Sequence, residues 1–202
     1  SYTFFSTLPG TINYGGSCSS DNNTAVADNN TITFNALADN TYSNCTLRVT
    51  SPDSSGVASD NLSVSSFTID TTPPTLAETT VVPSLTNDNT TQYTFSSTEG
   101  GTITVGGNCS NSSDNNTAVA DNMTVSFAAL ADGTYSNCTI TVTDSAGNSV
   151  TRNVNSFTID TTAPTLAEVT AVPPLTNDNA SSYTFSTDQT GTIAYAGGCS
   201  ST

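Results

Sequence analysis

Cys138-Thr139-Ile140-Thr141-Val142-Thr143, continued by Asp144-Ser145-Ala146-Gly147-Asn148, is the stretch on which the fold turns. Ile140 and Val142 alternate with threonines, and a period of two marks a strand covered on one face only. Thr139, Thr141 and Thr143 suit the other face, because β-branched side chains fit a pleated, solvated surface. Cys138 has the parity of Ile140 and Val142, so its sulfur is expected to point inward. Asp144 to Asn148 reads as a hairpin turn in which Gly147 supplies a positive φ.

Working outward, the same alternation recurs between clusters of Gly, Asn, Asp and Pro. It predicts strands over Thr75–Val82, Gln92–Ser96, Thr102–Val105, Thr117–Val119, Met123–Ala128, Thr134–Thr143 and Ser149–Ile159. No helical period competes. That strand count predicts an all-β, two-sheet antiparallel sandwich. Val150 and Val154 share one parity while Phe157 and Ile159 share the other, which predicts a β-bulge near Asn155-Ser156. Tyr135 is placed to act as a corner tyrosine whose hydroxyl pins the preceding turn.

The pattern repeats every ninety residues or so. Ser66-Phe-Thr-Ile-Asp-Thr-Thr72 returns at 156–162, Leu85-Thr-Asn-Asp-Asn89 at 175–179, and Asp21 to Asn29 letter for letter at Asp114 to Asn122. This divides the chain into a module over 1–72 without its first strand, a complete module over 73–162, and the start of a third over 163–202. The polypeptide is therefore expected to continue on both sides. Copied modules suit a role that scales with their number, such as reach.

Composition narrows the function further. Net charge is −15, with Arg48 and Arg152 the sole basic side chains and no histidine. Nothing is present to neutralise phosphates, which argues against nucleic acid as a partner. No apolar run approaches the ~20 residues needed to cross a bilayer as a helix, so no membrane insertion is expected of this segment. Ser and Thr supply 69 of 202 residues, as on a solvated extracellular surface. Without histidine or lysine there is no base beside a Ser or Cys nucleophile, so no catalysis is expected.

The five cysteines follow the repeat. Cys18 pairs in pattern with Cys45, Cys109 with Cys138, and Cys199 is expected to find its partner further along the polypeptide. Spacings of this length lack metal-site character and read as one structural disulfide per module, hence an extracytoplasmic location.

The string Thr134-Tyr-Ser-Asn-Cys-Thr-Ile-Thr-Val-Thr-Asp-Ser-Ala-Gly-Asn148, with Ser156-Phe-Thr-Ile-Asp-Thr-Thr-Ala-Pro-Thr165, resembles the bacterial immunoglobulin-like repeats of very large surface and adhesin proteins. The resemblance implies tandem immunoglobulin-like sandwiches in an extracellular stalk or fibre, and it carries over no catalytic residue. Ser51-Pro-Asp-Ser-Ser-Gly56 in the first module departs from the Asp-Ser-Ala-Gly-Asn turn.

Two other roles compete with a simple stalk at the cell surface. One is the body of a multi-chain filament, in which other copies join by lateral or strand-exchange contacts beyond the contacts between neighbouring modules. The other is a carbohydrate- or protein-binding module with its site in the loops after Cys109 or at Gly133. No cofactor is expected, with Ca²⁺ the one candidate ligand: Asp70 and Asp160 at the module junctions, with Asp88 and Asp178 nearby, offer hard oxygens. The plainer reading, in which these acids cap strand ends and turns, is favoured.

Overall fold

A computed structural model describes residues 1–53, 56–110, 112 and 116–199, all in strands, turns and irregular segments. The first copy contains β1 (Tyr2–Ser6), β2 (Gly10–Gly15), β3 (Thr24–Ala25), β4 (Asp28–Ile32), β5 (Asn40–Tyr42), β6 (Thr46–Thr50), β7 (Leu62–Ser63) and β8 (Phe67–Ile69). The middle copy contains β9 (Leu76–Thr80), β10 (Leu85–Thr86), β11 (Gln92–Ser97), β12 (Gly101–Gly106), β13 (Thr117–Ala118), β14 (Asn122–Ser126), β15 (Gly133–Tyr135), β16 (Thr139–Thr143), β17 (Ser149–Asn153) and β18 (Phe157–Ile159). The third contributes β19 (Leu166–Thr170) and β20 (Thr184–Thr187).

In the middle copy a four-stranded sheet, β13-β12-β16-β17, faces two three-stranded ones, β14-β11-β9 and β10-β18-β15. All three feed one core, in which Tyr93, Phe95, Val125, Phe127, Ile140 and Val142 are fully buried. The first copy has its own core around Phe4, Ile12, Ile32 and Leu47. β16 alternates as its sequence demands, with Ile140 and Val142 buried between partly exposed threonines. On the outer face Thr141 and Thr151 share a hydroxyl hydrogen bond of 2.8 Å.

Three expectations need correction. Thr134–Thr143 is two strands, β15 and β16, in different sheets. Ser149–Ile159 is likewise split: β17 pairs with β16, and β18 with β15 and β10. The parity slip at Asn155-Ser156 is therefore the chain crossing from one layer to the other, with no bulge inside a single strand. A crossing reverses which side of the chain is inside, and so produces the same signal in sequence. Finally, the sandwich is not wholly antiparallel, because β10, a strand the periodicity missed, runs parallel to β18. The departure in the first copy's Ser51–Gly56 connection includes Ser54 and Ser55, which lie outside the described residues.

The crossing before β16 is secured by side chains. The Tyr135 hydroxyl donates to the Ala131 carbonyl at 2.9 Å, and Tyr42 repeats this on Ala38. Cys138, immediately before β16, is bonded to Cys109, three residues beyond β12, with Cα atoms 5.3 Å apart. Cys18 and Cys45 do the same in the first copy. The turn into each bridge needs glycine: Gly107 has φ +75°, and a Cβ there would lie 2.0 Å from the Asn137 carbonyl oxygen. Cys199 is exposed and unpaired among the described residues.

Candidate functional site: the module junction

Where β8 ends, Asp70-Thr71-Thr72-Pro73-Pro74 leads into β9. Prolines hold this connection extended, but its exit is fixed by a carboxylate from far away in sequence. Asp39, just before β5, accepts hydrogen bonds from the Thr71 N–H (3.0 Å), the Thr71 hydroxyl (2.8 Å) and the Thr72 hydroxyl (2.7 Å). Asp70 accepts from the Thr72 N–H at 3.1 Å. The next junction repeats the arrangement: Asp132 accepts from the Thr161 N–H, Thr161 hydroxyl and Thr162 hydroxyl at 3.0, 2.7 and 2.9 Å. Asp160 caps the Thr162 N–H at 3.1 Å.

These donors favour the charged carboxylate, so the threonine hydroxyls and the Thr71 and Thr161 amides hold Asp39 and Asp132 below the usual aspartate range. A depressed folded-state value means that the stabilisation is complete above the ordinary aspartate pKa of ~3.9. It is lost as pH falls through the lower folded value. The stability of the chain is accordingly expected to fall between neutral pH and pH ~2. Asp132→Asn is expected to lower neutral stability and to flatten part of that acid limb. Urea titrations at the two pH values read both effects. An unchanged acid limb in the variant would show that Asp132 contributes no clamp.

The second module also reaches back across the junction. Asp144 accepts the N–H groups of Ala146, Gly147 and Asn148 at 2.7–2.9 Å, closing the predicted hairpin with Gly147 at φ +98°. The Asn148 amide donates to Asp144 (2.9 Å) and to the Asp70 carbonyl (3.0 Å), joining one module to the next. Desolvation pushes the Asp144 carboxyl up, but the hydrogen bonds from Asn148, Gly147 and Ala146 outweigh it and the net shift is downward.

The four acids singled out for calcium do not converge. Asp88 closes a turn on the Thr90 amide and hydroxyl, Asp178 on the Ala180 amide, and Asp160 on Thr162. Asp70 alone joins an acidic group, with Glu99 and Asp144, whose carboxylate oxygens lie within 4.8 Å of one another. Asp144 already accepts four hydrogen bonds within the hairpin, whereas Ca²⁺ takes six to eight oxygen ligands. Chelation is expected to leave the melting temperature where added Ca²⁺ puts it. A fall on chelation would show that the three carboxylates hold an ion.

Asp132-Gly133 reads in sequence as a hairpin turn, and the grip of Asp39 and Asp132 on the linker threonines is not legible there, although both stand three residues before the corner tyrosine of their copy. The loop after Cys109, raised as a binding loop, lies partly outside the described residues. Among known families, the model described as "Bacterial Ig-like domain" matches residues 78–161. No curated protein matches the chain.

Proposed function

We propose, from the match of residues 78–161 to the bacterial Ig-like domain model, that the chain is a structural segment of an extracellular stalk or adhesin. It gives reach and durability and performs no reaction. The segments 1–72, 73–162 and 163–202 act as successive modules, each the next one's partner. The observation that carries this reading is the duplicated junction, in which an Asp carboxylate grips two linker threonines with nearly the same distances at both places. A linker gripped in this way, and stiffened by proline, restricts bending between neighbours.

Durability has several supports. Buried disulfides persist in oxidising surroundings. Arg48 and Arg152, the two sites open to trypsin-like proteases, lie within β6 and β17. Arg152 is further held by the Tyr93 hydroxyl at 3.1 Å. No helix is long and apolar enough to cross a membrane among the described residues. Negative charge keeps copies soluble and apart.

The test has two arms. Antibodies to the chain should label intact cells, and trypsin should leave the native chain whole yet cut it at both arginines after reduction and unfolding. Labelling confined to broken cells would contradict an extracellular stalk.

A further inference from the structure

Asp132 is followed by Gly133, and the sequence contains no other Asp-Gly and no Asn-Gly. Such a dipeptide can react with itself. Attack on the aspartate Cγ by the next residue's amide nitrogen closes a five-membered ring, and glycine has no Cβ to obstruct it. No neighbour obstructs it either, since nothing lies within 4 Å of where a Cβ on Gly133 would stand. Asp132 is exposed, so water reaches the ring for the second step.

The grip on the linker opposes this reaction. Ring closure needs the Gly133 nitrogen and the Asp132 Cγ in near-attack contact. In the fold the Asp132 Oδ1 accepts from the Thr161 N–H and hydroxyl, and Oδ2 from the Thr162 hydroxyl. Turning the side chain onto Gly133 would forfeit these bonds. The same donors keep the carboxyl charged, and a carboxylate is a poorer electrophile than the acid.

The first copy grips its linker without the reactive pair. Asp39 holds Thr71 and Thr72 in the same way but is followed by Asn40, which has no positive φ, whereas Gly133 has φ +151°. The grip therefore forms without glycine. Gly133 adds a reactivity that the first copy lacks.

We propose that Asp132-Gly133 is a self-modification site of the junction, kept closed by Thr161 and Thr162 and converted to isoaspartate when their grip opens. The Gly133 nitrogen gives up its proton to water and bonds to the Asp132 Cγ. A Cγ–oxygen bond breaks, and that oxygen leaves as water. Water then adds to the main-chain carbonyl of the ring, and the bond from that carbon to nitrogen breaks. Opening at Cγ instead restores aspartate. No oxidant, reductant or partner is consumed. Isoaspartate has the composition of the starting chain, but its backbone runs through Cβ and Cγ and is one atom longer. The carboxylate now sits on Cα, away from the linker threonines, and the Gly133–Ile159 register of β15 on β18 is displaced. A junction that has once been opened is thereby loosened covalently. This chemistry holds whether or not the chain is a stalk.

The oxidised 202-residue chain, kept in warm neutral buffer both native and in urea, tests this by peptide mapping of isoaspartate with mass spectrometry. Modification at Asp132 should be clearly slower in the native chain than in urea. Thr161→Val with Thr162→Val removes two hydroxyls at exposed positions and should leave the circular dichroism unchanged. It should speed native-state modification roughly tenfold. Gly133→Asn, which reproduces the first copy, should all but abolish it. Asp144-Ser145, held by its own hairpin, is the internal reference and should not respond to the valine pair. Equal native rates in wild type and the valine pair would overturn the proposal. So would a native rate as high as that in urea, persistence in Gly133→Asn, or a parallel rise at Asp144, which would mark general loosening.

Discussion

Replacing Cys109 and Cys138 together by alanine is expected to lower the stability of the middle module by about 3–4 kcal/mol. The bridge closes a 29-residue separation, and freeing a loop of that length returns its closure entropy to the unfolded chain. For a domain of this size the melting temperature should fall by roughly 15–25 °C. Calorimetry with and without reductant gives the number, and the reduced wild type should behave as the double variant does. Both sulfurs are buried in the one core, so the loss is accompanied by a small packing term. A fall of under about 3 °C would mean that the sheets hold without the bridge. The Cys18–Cys45 pair, with a 27-residue separation, is expected to follow suit in the first module.

Phe157→Ala should cost about 3–5 kcal/mol, as truncation of a fully enclosed aromatic does. Its ring is 1% exposed and stacks between Phe127 and Tyr135, with centroids 6.0 and 5.3 Å away. The cavity would open where the four-stranded sheet meets β18. The same change at Phe67 should cost clearly less, because that ring is only half-buried. Urea denaturation of the two variants measures the contrast. Equal losses would show that the difference in burial between the two rings does not set their contributions.

These expectations rest on features of unequal legibility. The alternation in Thr139–Thr143 was open to reading because one face of a strand meets the core and the other meets water. Cys138 was legible for the same reason, since parity tells which way it points, and Tyr135 was legible from its place beside the turn it pins. What parity does not tell is which layer a strand belongs to, so the crossings before Thr139 and after Asn153 read as continuous strands. β10 was missed because two residues, Leu85 and Thr86, carry no period at all. The junction clamp was hidden by distance: Asp39 meets Thr71 across 32 positions, and no local pattern announces such a contact. Asp88 and Asp178 drew notice as repeated acids, yet each serves a turn a few residues long. Repetition in sequence marks what a module needs, and in this chain most of that need is shape.

A shape-giving thread should resist being pulled. Single-molecule extension of the oxidised chain tests that claim most directly, because force is the quantity a stalk bears. Unfolding of the middle module, with Cys109 and Cys138 joined, should release about 20 nm in one cooperative event. With reductant present the step should lengthen to about 30 nm and occur at lower force. A long step without reductant, or extension with no force peak, would contradict a stapled load-bearing module.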